Sequence, residues 1–158
     1  MKAGEVCKSN VVTIEGREDV AAAALRMRDR HVGYLVVVEP MDGDSSYPER
    51  RLGQRPIGVL TDRDVVVTVI ARGGDPTTLR VEDVMTRRPV TVREDETLSA
   101  AVSKMRGLGV RRLPVVSGKG ALVGILALDD VLDCLAGELQ NIVGSIRQEQ
   151  RVERVQRP

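Results

Sequence analysis

Two short clusters carry the residue types that hold charged small molecules: Gly58-x-x-Thr61-x-x-Asp64 and Arg111-Arg112. The first sets a glycine, a hydroxyl and a carboxylate where the apolar run Ile57–Leu60 gives way to a helix start. Glycine lets a ligand approach the backbone, a helix N-terminus favours phosphate through its free N–H groups, and a carboxylate can accept from both hydroxyls of a ribose. Arg63 lies beside them. Guanidinium groups grip phosphate in pairs of hydrogen bonds and keep their charge; Arg111 and Arg112 precede the apolar strand Leu113-Pro114-Val115-Val116. Both clusters also have plain readings. Thr61-x-x-Asp64 is a capping box, and Arg111-Arg112 a solvated pair at a strand edge. A second copy, Gly124–Asp130, keeps the acid but has Ala127 in place of the hydroxyl. An acid kept without its capping partner favours ribose, although Asp129 offers an alternative N-cap.

Other chemistries find little support. Cys7, Cys134 and His31 are too few for a zinc site of the Cys/His kind, and no nucleophile motif or P-loop stands near the histidine. No catalytic or metal-binding residues are therefore expected. Lys and Arg total 24 against 23 Asp and Glu, and two Tyr are the only aromatics. That excludes the basic footprint and stacking platforms of a dedicated nucleic-acid binder. Residues 1–10 lack the apolar run of a secretory signal, and no stretch of 18 apolar residues exists. A cytoplasmic location with reduced thiols is expected, with neither membrane nor nucleic acid as partner.

What positions the two clusters is an internal repeat. A shift of 78 sets Val12–Val38 on Val90–Val116 without a gap, and a shift of 66 sets Ile57–Leu60 on Val123–Leu126. The offset falls in a polar segment at 39–55, expected as a loop inserted in the first copy. Each copy reads strand, helix, strand, strand, helix. The first helix of each carries i, i+3, i+4, i+7 apolar faces, Val20-Ala23-Ala24-Met27 and Leu98-Ala101-Val102-Met105. The expected fold class is α+β: two βαββα repeats, residues 1–76 and 77–136, packed as a pseudo-twofold pair. Residues 137–158 form a C-terminal extension, expected helical to about Arg147 and frayed beyond. Single units would expose an apolar sheet face, which pairing buries.

The chain resembles the tandem cystathionine-β-synthase (CBS) pair, or Bateman module. Val84-Met85-Thr86-Arg87-Arg88-Pro89-Val90-Thr91-Val92, Val110–Val116 and Gly58–Asp64 carry the resemblance, which covers about residues 1–135. It implies a non-catalytic regulatory module that requires no cofactor. Its ligand would be an adenosine nucleotide (AMP, ADP or ATP; otherwise S-adenosylmethionine or NAD) held in clefts between the repeats. It further implies a homodimer that signals to an effector protein the sequence does not name. A protein-interaction scaffold with empty clefts and a nucleotide hydrolase are the rival classes. By the family pattern each cleft is completed across repeats. Thr61, Arg63, Asp64, Val90, Arg111 and Arg112 would form the main cleft; Val12, Gly33, Tyr34 and Asp130 would form the second. With Ala127 lacking a hydroxyl, Gly33-Tyr34 lacking charge and Asp129 adding a negative one, the second cleft is expected to hold phosphate poorly.

Overall fold

The structure, a computed structural model, describes residues 1–41 and 53–156. The chain runs α1 (Ala3–Val6), β1 (Thr13–Glu15), α2 (Val20–Arg30), β2 (Tyr34–Pro40), β3 (Gln54–Thr61), α3 (Asp62–Asp64), α4 (Val81–Val84), β4 (Thr86–Arg87), β5 (Val92–Arg93), α5 (Leu98–Leu108), β6 (Arg112–Val116), β7 (Leu122–Ala127) and α6 (Leu128–Gln156). The strands form two sheets in the orders β1-β2-β3-β4 and β5-β6-β7. In each, the first strand runs parallel to the second and the second antiparallel to the third.

The amphipathic helices start and stop where their side chains dictate. Asp19 accepts from the Ala22 N–H at 2.6 Å and Thr97 from the Ala100 N–H at 3.2 Å, satisfying free donors of α2 and α5. Both helices end on a left-handed residue, His31 (φ 53°) and Gly109 (φ 66°). Their buried faces, Val20-Ala23-Met27 and Leu98-Ala101-Met105, cover separate cores. A third cluster, Val11, Val36, Val38 and Leu122 with Tyr34 and Ile125 against it, joins the two halves.

Each core recruits the lead-in of the other copy. Ala3, Val6 and Cys7 pack with Leu98, Leu113 and Leu126, and the Ala3 and Gly4 N–H groups donate to Glu96 and Glu94 carbonyls at 2.8 and 2.9 Å. Val81, Val84 and Met85 pack with Ile14, Leu35 and Leu60, and the Glu82 N–H donates to the Gly16 carbonyl at 2.9 Å. The exchange explains two glycines. A Cβ on Gly58 would collide with the Met85 sulfur, and one on Gly124 with the Cys7 Sγ. The space before Gly58 thus belongs to Met85, not to an approaching ligand. Gly58→Ala and Gly124→Ala are each expected to destabilise the fold by about 1–3 kcal/mol through overpacking. Urea denaturation checks this; unchanged midpoints would contradict the packing.

The remaining differences from expectation lie at element ends. Strands β2 and β3 run on past the expected loop bounds: Glu39 pairs with Arg55 and Pro40 with Gln54, leaving residues 42–52, the middle of the insertion at 39–55, outside the described residues. Past α3 the chain continues as a π-helical turn at Val65–Val69 and a 3₁₀ turn at Ile70–Arg72. An unbroken β-branched run from Val65 to Ile70, stiff at χ1, crowds a regular helix there. In contrast, α6 does not fray at Arg147 but continues to Gln156. Arg, Gln and Glu at 147–151 are good helix formers, and neither Gly nor Pro interrupts them.

Candidate functional site

A cleft of about 320 Å³ opens between the halves. Val12, His31, Gly33 and Tyr34 line it from one side, and Arg112, Ile125, Ala127, Asp129 and Asp130 from the other, with Lys8 at the edge. The strands place these side chains by register. Val12 enters from the approach to β1, where its carbonyl accepts from the Val36 N–H at 3.2 Å. Tyr34 starts β2 opposite Thr61. Arg112 starts β6 opposite Ala127, the last residue of β7, and Asp130 follows in the first turn of α6.

Asp130 is the most sheltered charge in the cleft, its side chain only 10% exposed. Its Oδ2 accepts from the Ala127 N–H at 3.4 Å, and its Oδ1 lies 2.5 Å from the Lys8 Nζ. Lys8 reaches it because its backbone bridges β7, exchanging N–H···O bonds with Ile125 at 2.9 Å each way. The hydrogen bond to Asp130 raises the Lys8 ammonium above its ordinary range, so Lys8 is a cation at neutral pH. Burial pushes the Tyr34 phenol well above the usual tyrosine range, with the Arg112 guanidinium pulling against it. Tyr34 is therefore a neutral hydroxyl on an aromatic face, next to a fixed positive charge.

Val12, Gly33, Tyr34 and Asp130 thus share one cleft. The expectation of a charge-poor cleft fails. Arg112, assigned from the sequence to the Asp64 side, lines the Asp130 cleft, and Lys8 adds a second cation. Arg111, assigned likewise, points its Nη2 to Asp129 Oδ1 at 3.4 Å, so Asp129 is not a bare negative charge. The physical reason is the pseudo-twofold axis. Tyr34 and Arg112 are equivalent positions of the two copies, and both lie against the interface the copies share.

At the other acid, the capping geometry is formed in full. Thr61 Oγ1 accepts from the Asp64 N–H at 3.1 Å, and Asp64 Oδ2 accepts from the Thr61 N–H at 2.9 Å and from the Thr61 hydroxyl at 2.7 Å. Arg63 is exposed beside them, and Val90 is exposed on the approach to β5. Six residues lining the cleft escaped the sequence argument: Lys8, Asn10, Val11, His31, Val32 and Ile125. Lys8 carried one signal, its place directly after the lead-in 3–7, which the shift of 78 sets on 81–85. His31 carried another, since a non-glycine residue in the left-handed region costs about 1–2 kcal/mol where the other copy has Gly109. Among the described residues no group of three or more His, Cys, Asp or Glu is placed to hold a metal ion, and no helix is long and apolar enough to cross a membrane.

Comparison with known proteins matches this architecture. The family model "CBS domain" fits residues 3–70 and 81–137. An uncharacterised protein of Methanopyrus kandleri is 34% identical over 129 residues, covering 82% of this chain and 60% of that protein; the chain thus spans less than two thirds of that relative. The crystal structure of Hypoxic Response Protein I with two coordinated zinc ions superposes with a TM-score of 0.68 at 28% identity, covering 84% of this chain and 98% of that one. A CBS domain protein from Pyrobaculum aerophilum complexed with AMP shares the fold, with a TM-score of 0.68 at 24% identity over 82% of this chain and 89% of that one. Both halves are matched and the two-repeat architecture is shared: the chain belongs to the CBS domain family as a tandem pair.

Proposed function

We propose that the chain is a non-catalytic sensor of an adenosine-type ligand, held in the cleft between its repeats and read out by a partner protein. One observation carries the reading: a sheltered carboxylate, Asp130, converges with Arg112, Lys8 and the Tyr34 ring on a cleft of about 320 Å³, within the range of small-ligand sites. Asp130 accepts from the ribose hydroxyls, Tyr34 and Val12 supply apolar contact for the base, and Arg112 with Lys8 faces the phosphate. Borrowed from the Pyrobaculum aerophilum protein is the ligand class, since the same fold carries AMP there. Thr61, Arg63, Asp64, Val90 and Arg111 belong to a second, related cleft in this proposal, where a ligand has to open the Thr61–Asp64 bonds first. The chain acts as a homodimer, with Val66, Val67 and Ile70 as well as the exposed face of α6 available for association.

Titration calorimetry with AMP, ADP, ATP, S-adenosylmethionine and NAD at up to millimolar concentration tests the reading. Saturable heat is expected with at least one, much weaker binding with guanosine nucleotides, and turnover of none. No heat with any of them would favour the scaffold reading instead; hydrolysis abolished by Asp64→Ala would favour an enzyme.

Lys8 occupies the carboxylate that the ribose needs. Removing it with Lys8→Met is expected to tighten binding of adenosine, which has no phosphate, by up to about fivefold, the worth of one exposed ion pair. For AMP the lost cation offsets that gain. Adenosine binding weakened by Lys8→Met would show that Lys8 supports the site and does not compete for it.

A further inference from the structure

Helix α6 spans 29 residues, about 43 Å at 1.5 Å per residue, and extends well past residue 137, where the family match ends. Val131 is buried and Leu128 half-buried against the second core, and Cys134 touches Met1. From residue 138 to 154 every residue is exposed. Along this rod Leu128, Leu132, Leu135, Leu139, Ile142 and Ile146 alternate in steps of four and three, the seam of a coiled coil. The five from Leu132 onward are 44 to 64% exposed. Helices in proteins draw most of their stability from packing an apolar face, and among the described residues nothing covers the seam beyond Leu135.

Charge selects the partner. Between 128 and 138 the helix carries Asp129, Asp130, Asp133 and Glu138 and no base; between 147 and 156 it carries Arg147, Arg151 and Arg154 against two glutamates. A copy laid antiparallel sets the acidic end of each against the basic end of the other. With the twofold axis beside Gln140, Leu139 meets the partner's Ile142 and Leu135 meets the partner's Ile146. In the same register Asp133 stands near the partner's Arg147. A parallel pair would instead stack Glu149 on Glu149 and Glu153 on Glu153, whereas the antiparallel register sets them opposite the partner's Leu132 and Leu128.

We infer that α6 pairs antiparallel with α6 of a second copy, joining two CBS pairs through a helix that runs on beyond the family fold. The inference rests on the homodimer reading and specifies where that dimer forms. Sedimentation of the full chain at tens of micromolar tests it, on the parent and four variants. The parent sediments as a dimer. Leu139→Glu with Ile142→Glu, both on the exposed rod, weakens association at least about 100-fold without changing the thermal midpoint of the CBS pair. Asp133→Arg and Arg147→Asp each weaken it about tenfold, there being two symmetric pairs per dimer, and combining them in one chain restores the parent constant within about threefold. A monomeric parent overturns both this inference and the homodimer reading, and leaves the seam to a different protein. A dimer unaffected by the Leu139/Ile142 substitutions overturns the α6 pairing alone. Charge reversals that do not rescue one another overturn the antiparallel register.

Discussion

Asp130→Ala is expected to weaken binding of any ribose-bearing ligand in the described cleft by about 10- to 150-fold while leaving the fold intact. The carboxylate is mostly shielded from water, so hydrogen bonds from ribose hydroxyls form at a charged acceptor. Such bonds contribute about 1.5–3 kcal/mol each, and 1.4 kcal/mol is about tenfold in affinity. The loss should appear for adenosine and AMP alike, because both carry the ribose. Lys8, released by the substitution, is 70% exposed and is left in water at little cost to stability. Calorimetry on the variant checks the outcome; parent-like affinity for both ligands would remove Asp130 from the site.

Arg112→Ala should separate the two ligands that Asp130→Ala treats alike. The guanidinium lines the cleft beside Tyr34, and its planar fork of donors matches a phosphate. Its contact with a phosphate falls in the same range of about 1.5–3 kcal/mol, so AMP is expected to lose about 10- to 150-fold. Adenosine, with nothing for the arginine to hold, should change less than about threefold. Equal losses for AMP and adenosine would mean that Arg112 shapes the cleft through packing against Tyr34 and does not bind the phosphate.

The repeat, the apolar faces of α2 and α5 and the order of elements in each copy were legible because periodicity reports directly which side of an element is buried. Val12, Gly33, Tyr34 and Asp130 could be grouped for a related reason: the family pattern states which ends of the repeats meet. Arg112 could not be placed by offsets. The offsets pair Tyr34 with Arg112 as equivalents, yet they carry no distance, and the pseudo-axis brings both to one cleft. Lys8 was hidden by the exchange of lead-ins, since nothing local in residues 2–8 shows that they pack on the distant half of the chain. Thr61 and Asp64 were ambiguous in the sequence because capping and ribose binding use the same atoms. The capping bonds are formed.

A crystal structure of the protein grown with millimolar AMP tests the central claim most directly. The account predicts AMP between the two repeats, with its ribose hydroxyls within hydrogen-bond distance of Asp130, its phosphate facing Arg112 and Lys8, and the Lys8–Asp130 contact broken. An intact Lys8–Asp130 contact, with no AMP between Tyr34, Arg112 and Asp130, would contradict it.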